Sequence, residues 1–233
     1  MNGVRKFSTP AAVRIGGMSL ILAAGGFIAV FSYLAVNFNY PDVLDGRANT
    51  VLPNVLSMGD SGRAVWALYA LLPLLLIPAG IGAHAALRAV APSLSRSALV
   101  ASVITAFSML LGLARWSTIH WELAQSYAVA SDESRIAINA IFAGFNAYLG
   151  NFIGEFVGEL GLNAFFLLTA IAFMYAGRRL VGYAGIVVGV LGIAGAFRNV
   201  TPVVQIIADA NNTLLPVWLV VLGIVLMRYG RSM

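Results

Sequence analysis

Long runs of apolar residues alternate with shorter polar segments along the whole chain. A hydrocarbon core ~30 Å thick needs about 20 mostly apolar residues for one helical crossing. Six segments qualify, some with polar interruptions: residues 13–36, 64–87, 97–115, 153–176, 180–197 and 213–227. The pattern predicts an all-α membrane protein, a bundle of six transmembrane helices that forms one domain over residues 1–233.

The connections between these spans differ in length. Those at residues 88–96 and 177–179 are short, whereas those at 37–62 and 116–152 are long. The long connections carry helical patterns of their own, so we expect a small helical cap on their side of the membrane. In the first of them, four apolar residues predict a face that lies flat on the membrane: Val51, Leu52, Val55 and Leu56.

The second long connection predicts an amphipathic helix that continues into the fourth span. Ser131 is a good first residue for it, and its apolar stripe would be formed by Ile136, Ala140, Ile141 and Phe145. An unbroken helix from Glu133 to Ala176 would be about 65 Å long, well beyond a bilayer. We therefore predict a bend near residues 144–154.

Composition agrees with this class of protein. Of the 233 residues, 60% are hydrophobic and 10% are charged, which is typical of integral membrane proteins. The absence of cysteine excludes disulfides, thiolate zinc and Cys-ligated iron–sulfur clusters. The only lysine, Lys6, precedes the first span and excludes a retinal Schiff base. We expect no cofactor.

Charge divides between the two sides of the predicted bundle. Six spans put both chain ends on one side, called here the terminal side; the other is the cap side. Terminal-side basic residues are Arg5, Lys6, Arg14, Arg88, Arg96, Arg178, Arg179, Arg228 and Arg231. Acidic residues lie at or near the cap side: Asp42, Asp45, Asp60, Glu122, Asp132, Glu133, Glu155, Glu159 and Asp209.

This asymmetry predicts orientation. Cytoplasmic loops are rich in Lys and Arg, so both termini are expected in the cytoplasm and the cap outside. The high ratio of Arg to Lys is typical of a GC-rich bacterial genome, so we expect a multi-pass protein of the bacterial inner membrane. The basic pI, near 9.9, then reflects orientation, and no nucleic-acid partner is expected.

Two stripes with a spacing of four residues open the fourth span. One consists of Gly150, Gly154 and Gly158, and the other of Asn151, Glu155, Glu159 and Asn163. Residues four apart are neighbours on a helix, so the pattern predicts a glycine groove beside a polar ridge. Because four exceeds the 3.6-residue turn, both stripes should wind slowly around the helix. The groove predicts close packing, either within the monomer or in a homodimer.

The two glutamates are the main candidates for chemistry. Paired carboxylates at low dielectric raise each other's proton affinity, which suits proton transfer, metal binding or ligand binding. The structural alternative is that Glu155 and Glu159 pair with Arg115 and Arg198, at the cap-side ends of spans three and five. In the functional interpretation Arg115 neutralises one glutamate and leaves the other for a proton or a cationic group.

An aromatic segment follows Arg115 in the sequence. Trp116, His120 and Trp121 are expected to line the rim of the charge cluster, although two tryptophans at a membrane boundary are also common anchors. A metal held by His120 with the glutamates stays open, because the spacing is not diagnostic. His84 is predicted at the terminal side, as a hydrogen-bonded interfacial residue.

Several short motifs are similar to those of a known group of proteins. They are Asn39 to Leu44, Arg115-Trp116, Phe142 to Gly150, and Gly154-Glu155 to Gly158-Glu159. In them the chain resembles a family of bacterial six-helix membrane proteins that is catalogued only as a domain of unknown function. The resemblance implies the six-helix architecture and supplies no activity.

Three hypotheses for function follow. The first is a protein that binds or transports a small or amphiphilic molecule at a charged site near the outer face, formed by Arg115, Trp116, His120, Trp121, Glu155 and Glu159. The second is a non-catalytic accessory or assembly subunit whose glycine groove faces a partner helix. The third is an intramembrane enzyme that uses the carboxylates or a metal, which we favour least because no catalytic motif is present.

Overall fold

The structure, a computed structural model, describes residues 9–230 apart from the side chains of Thr9, Asp42 and Asp45. Arg5, Lys6 and Arg231, three of the basic residues assigned to the terminal side, lie outside the described residues. Throughout the described range the regular elements are helical, and no strand is present. Six of the helical stretches are long and apolar enough to cross a membrane, so the predicted all-α bundle of six spans is confirmed.

Ten α-helices follow one another along residues 9–230. They are α1 Thr9–Phe38, α2 Ala48–Ser57, α3 Gly59–Leu71, α4 Leu76–Leu87, α5 Pro92–Ser117, α6 Ile119–Val129, α7 Asp132–Phe145, α8 Gly158–Tyr175, α9 Arg179–Ala196 and α10 Gln205–Tyr229. A 3-10 segment, Leu72–Leu75, joins α3 to α4, and a π-helical segment, Asn146–Val157, joins α7 to α8. Short 3-10 helices occupy Asp42–Asp45, Phe197–Asn199 and Pro202–Val204.

Local sequence explains where several helices start and stop. α5 begins at Pro92, whose missing N–H would have no partner in the first turn of a helix. Ser131 caps α7, as predicted, by accepting a hydrogen bond from the backbone N–H of Ser134. α8 ends before Gly177, which has a φ of 76° that glycine adopts without strain.

The six spans form a ring in the order of the chain. Each span packs mainly against the spans before and after it, and α10 packs against α1. Glycines allow the closest approaches on the terminal-side half: a Cβ on Gly17 would lie 2.6 Å from the carbonyl oxygen of Gly223. Such small residues let helix backbones approach in a membrane, where packing and not water drives association.

The cap consists of α2, α6 and α7, which pack on one another over one end of the ring. Val51, Leu52 and Val55 of α2 are buried in the core of this cap, so the prediction that they lie on the membrane surface is wrong. The apolar stripe predicted for α7 is likewise not its buried face, because Ile136 and Ile141 are exposed and Phe142 is buried instead.

Where a bend was predicted, between α7 and α8, the helix changes from α to π. Residues 146–157 form i→i+5 hydrogen bonds, and the helix continues into α8 without a break. Gly150, Gly154 and Gly158 all face α5, where a Cβ on each would meet Arg115, Gly112 and Met109 respectively.

Candidate functional site

A compact ion-pair cluster lies where the fourth and fifth spans meet at the cap side. Arg198, in the turn after α9, donates to both carboxylate oxygens of Glu159, at 2.5 and 2.7 Å. The same guanidinium donates to Glu155 at 3.1 Å. The side chains of Arg198 and Glu159 are only 16% and 17% exposed, so solvent screens this pair weakly. The predicted ion pairs of Arg198 with both glutamates are confirmed.

Arg115 has a different set of partners. It is buried and donates through Nε and one terminal nitrogen to Oδ1 of Asn146, at 3.2 and 3.1 Å, and through the other to the carbonyl of Gly112. Its guanidinium also lies over the ring of Trp116, 5.0 Å from the centroid. No carboxylate of the described residues is within ion-pair distance of Arg115. The prediction that Arg115 pairs with a glutamate is therefore wrong.

The glycine stripe packs against α5 of the same chain. A Cβ on Gly154 would lie 2.8 Å from the Cα of Gly112, and one on Gly158 would lie 2.8 Å from Cγ of Met109. A Cβ on Gly150 would overlap the guanidinium of Arg115, so this glycine leaves the room that the arginine occupies. The monomer itself fills the groove, which leaves no dimer surface at these glycines.

His120 and Trp121 lie in the core of the cap, and neither borders the charge cluster. His120 is fully buried between Trp116, 4.7 Å away between ring centroids, and Phe142, 4.6 Å away. Trp121 is buried beneath the guanidinium of Arg63, at 5.1 Å. Of the three aromatic residues predicted at the rim, only Trp116 borders the cavity described next.

A cavity of about 920 Å³ lies inside the ring, below the cap. Its polar lining includes Arg115, Asn151, Glu155, Glu159 and Arg198. Asn163 does not reach it; its side chain instead donates to the carbonyl of Glu159, at 2.8 Å, and packs on Gly192 of α9. The polar ridge is therefore split, with three of its four members at the cavity.

The cavity is polar at its cap end and apolar at its deep end. Along α8, Glu159 is followed by Leu162, and along α10, Asp209 is followed by Leu219. The deep wall is completed by Phe27 and Leu76. The lining on α10 spans 14 residue steps, which is about 20 Å along the helix. This gradient matches a molecule with a polar head and an apolar tail.

The mouth of the cavity lies between the first and last spans. Lining residues that are also exposed are Ile28, Phe31, Ser32, Pro41, Gln205, Asp209, Asn212 and Thr213. All of them belong to α1, to the turn that follows it, or to α10. The cavity therefore opens sideways, toward the region that lipid would occupy.

Tyr40 borders the cavity beside this mouth. Burial raises the pKa of its phenol, and a hydrogen bond with Tyr69 acts in the opposite direction. The phenol therefore remains protonated at neutral pH and can donate a hydrogen bond to a polar group in the cavity.

The structure bears on the metal hypothesis and on His84. Among the side chains that the structure describes, which exclude Asp42 and Asp45, no group of three or more His, Asp or Glu is arranged to hold a metal ion. Nδ1 of His84 lies 3.1 Å from Oγ of Ser95, so the prediction of a hydrogen-bonded histidine is confirmed.

The polar residues on α10 were missed from the sequence. Gln205, Asp209, Asn212 and Thr213 line the cavity, yet the predicted span began only at residue 213. When the ends of a span are predicted from hydropathy alone, a polar stretch at the end of the helix is assigned to a loop. The spacing of four between Gln205 and Asp209 was the available sequence signal for a helix. In the structure their side chains are joined by a 2.9 Å hydrogen bond.

Comparisons with protein-family models, with curated proteins and with solved structures return no match.

Proposed function

We propose that the protein binds or transports a small amphiphilic molecule in the cavity below the cap. The observation that carries this proposal is the gradient within the cavity, from charged residues at Glu155 and Glu159 to an apolar end at Leu162 and Leu219. A volume of about 920 Å³ is within the usual range for ligand pockets, roughly 300–1,000 Å³. The sideways mouth would admit such a molecule directly from the bilayer.

The charged residues divide into two roles under this proposal. Arg198 holds Glu155 and Glu159 in place and fixes the register of α8 against α9. Arg115 and Trp116 would contact the ligand from α5. The wall opposite them, on α10, would contribute Asp209 and Asn212.

We further propose the bacterial inner membrane as the location, with both termini in the cytoplasm. Six basic residues support this orientation at the terminal side of the described chain: Arg14, Arg88, Arg96, Arg178, Arg179 and Arg228. No acidic residue lies on that side within residues 9–230, and positive charge is retained in the cytoplasm. The mouth of the cavity would then face the outer half of the bilayer.

Photolabelling tests the proposal. The protein in nanodiscs is exposed to long-chain amphiphiles that differ in head group and carry a diazirine near the chain end. Labelled residues are identified by mass spectrometry. We expect labels at the deep end, on Leu162, Leu219 and their neighbours.

The control is a pair of variants on one helix. Ser32→Trp places a bulky ring at the mouth, whereas Val36→Trp places it on an exposed position of α1 outside the cavity. Ser32→Trp should abolish labelling of the deep end, and Val36→Trp should not. Labelling that is confined to the outer faces of the spans, or equal in the two variants, would contradict the proposal.

A further inference from the structure

We propose that the ligand is a zwitterionic phospholipid, with its phosphate at Arg115 and its ammonium group at Asp209. This inference rests on the proposed function, because it assigns the head group of the amphiphile bound in the same cavity. Three observations carry it: the donors that Arg115 leaves unused, the carboxylate that Asp209 presents, and the balance of charge along the wall.

Arg115 can accept an anionic group. A guanidinium has five N–H groups, and the protein uses three of them, two toward Asn146 and one toward Gly112. All of these acceptors are uncharged oxygens. Arg115 is only 4% exposed and borders the cavity, so a phosphate there would gain strong, weakly screened hydrogen bonds.

Asp209 supplies the opposite charge at the mouth. Its carboxylate accepts a hydrogen bond from the amide of Gln205 at 2.9 Å. Over the described part of the chain, no arginine or histidine comes within ion-pair distance of it. The side chain is exposed and borders the cavity, which suits an ammonium group that stays near water.

The remaining charges disfavour a head group of a single sign. Arg198 is already engaged by both Glu155 and Glu159. A purely anionic head would meet the three carboxylates of the cavity, Glu155, Glu159 and Asp209, and among the described lining residues only Arg115 would be a cation without an ion-pair partner. A purely cationic head would find Asp209 but would leave the unused donors of Arg115 without an acceptor. A zwitterion supplies one charge of each sign, a phosphate for Arg115 and an ammonium group for Asp209.

The shape of the site agrees with a membrane lipid. One acyl chain can follow the wall from Asp209 toward Leu219, over about 15 Å. The mouth between α1 and α10 lets a second chain remain in the bilayer, because exposed apolar residues such as Ile28 and Phe31 flank it. A single-chain lysophospholipid presents the same head group and enters by the same route.

Binding of three single-chain amphiphiles with the same acyl chain tests the inference. The probes carry an ethanolamine head, which is zwitterionic, a glycerol head, which is anionic, or no phosphate but an amine, which is cationic. Affinity is measured by native mass spectrometry of the full chain released from nanodiscs. We expect the ethanolamine probe to bind most tightly.

Two variants assign the charges. Asp209→Asn should weaken the ethanolamine probe about threefold and leave the glycerol probe unchanged or tighter. Arg115→Gln should weaken both phosphate-bearing probes by about tenfold or more. Asp60→Asn, at an exposed carboxylate outside the cavity, is the matched control and should change nothing.

The outcomes separate this inference from the proposed function. Equal affinity for the three probes, or equal effects of Asp209→Asn and Asp60→Asn, overturns the head-group assignment and leaves an amphiphile site. No binding of any probe overturns both. Since Arg115 is buried and its variant can fail to fold, the exposed Asp209 carries the decision alone if needed.

Discussion

Arg198 donates two parallel hydrogen bonds to the carboxylate of Glu159, one from each terminal nitrogen, at 2.5 and 2.7 Å. This fork joins the end of α9 to the first turn of α8, two helices that otherwise pack through small residues such as Gly189 and Gly192. Geometry of this kind combines charge with a fixed orientation. It sets the position of the wall from which Glu155 reaches the cavity.

Glu159→Gln should lower the free energy of unfolding by about 2–3 kcal/mol, because it removes a charge from a weakly exposed fork. The matched control is Glu122→Gln. Glu122 lies 3.7 Å from Arg63 in a pair whose side chains are 42% and 68% exposed, so its loss should be below about 1 kcal/mol. Unfolding in detergent measures both. Equal losses would show that the fork adds no more than a surface pair.

Gly154→Ala should destabilise the protein by about 1–3 kcal/mol, because the new methyl group would meet the backbone of Gly112, which cannot yield without separating the helices. Gly144→Ala is the control on the neighbouring helix. Nothing lies within 4 Å of a Cβ there, so its higher helix propensity should add about 0.5–1 kcal/mol. Unfolding in detergent measures both variants. A change of the free energy of unfolding in the same direction for both would contradict the close packing of Gly154 against Gly112.

His120→Phe should leave stability unchanged or raise it by about 1–3 kcal/mol. Both ring nitrogens of His120 are buried, and neither has a hydrogen-bond partner among the described residues, so the substitution breaks no bond. His84→Phe is the contrasting variant, since it removes the hydrogen bond to Ser95 and should destabilise. A clear loss of stability in His120→Phe, measured by thermal unfolding, would mean that the imidazole has a polar partner.

Cysteine labelling should reveal the orientation, because the natural chain has no cysteine that would react. Val129→Cys places a thiol on the cap side and Val90→Cys places one on the terminal side, at positions 88% and 45% exposed. In intact cells, an impermeant maleimide should label the first and spare the second until the cells are lysed. The reverse pattern would invert the proposed topology.

The spans and the main ion pairs could be predicted because they depend on local pattern. Runs of about 20 apolar residues identify the helices. Glu155 and Glu159 lie one turn apart at the start of the fourth span, and Arg198 lies at the end of the fifth. Their pairing therefore requires only that these two consecutive spans lie side by side. Orientation, the membrane and the ligand remain predictions.

The partners of Arg115 and the position of His120 could not be predicted because they depend on distant packing. Asn146 follows Arg115 by 31 residues and reaches it only through the fold of the cap. His120 is buried because α6 packs against α2 and brings Phe142 of α7 over the ring. The π-helix depends on a shift in backbone hydrogen bonds, which no side-chain pattern of the segment indicates.

The ring of spans closes at a junction that the polypeptide itself does not bridge. Every other neighbouring pair in the described chain is tied by a connection at one end, whereas α1 and α10 meet only through non-covalent contacts. Separating these two helices on the cap side would stretch no loop. The cavity therefore opens at the one junction between neighbouring spans that no connection within the described chain crosses.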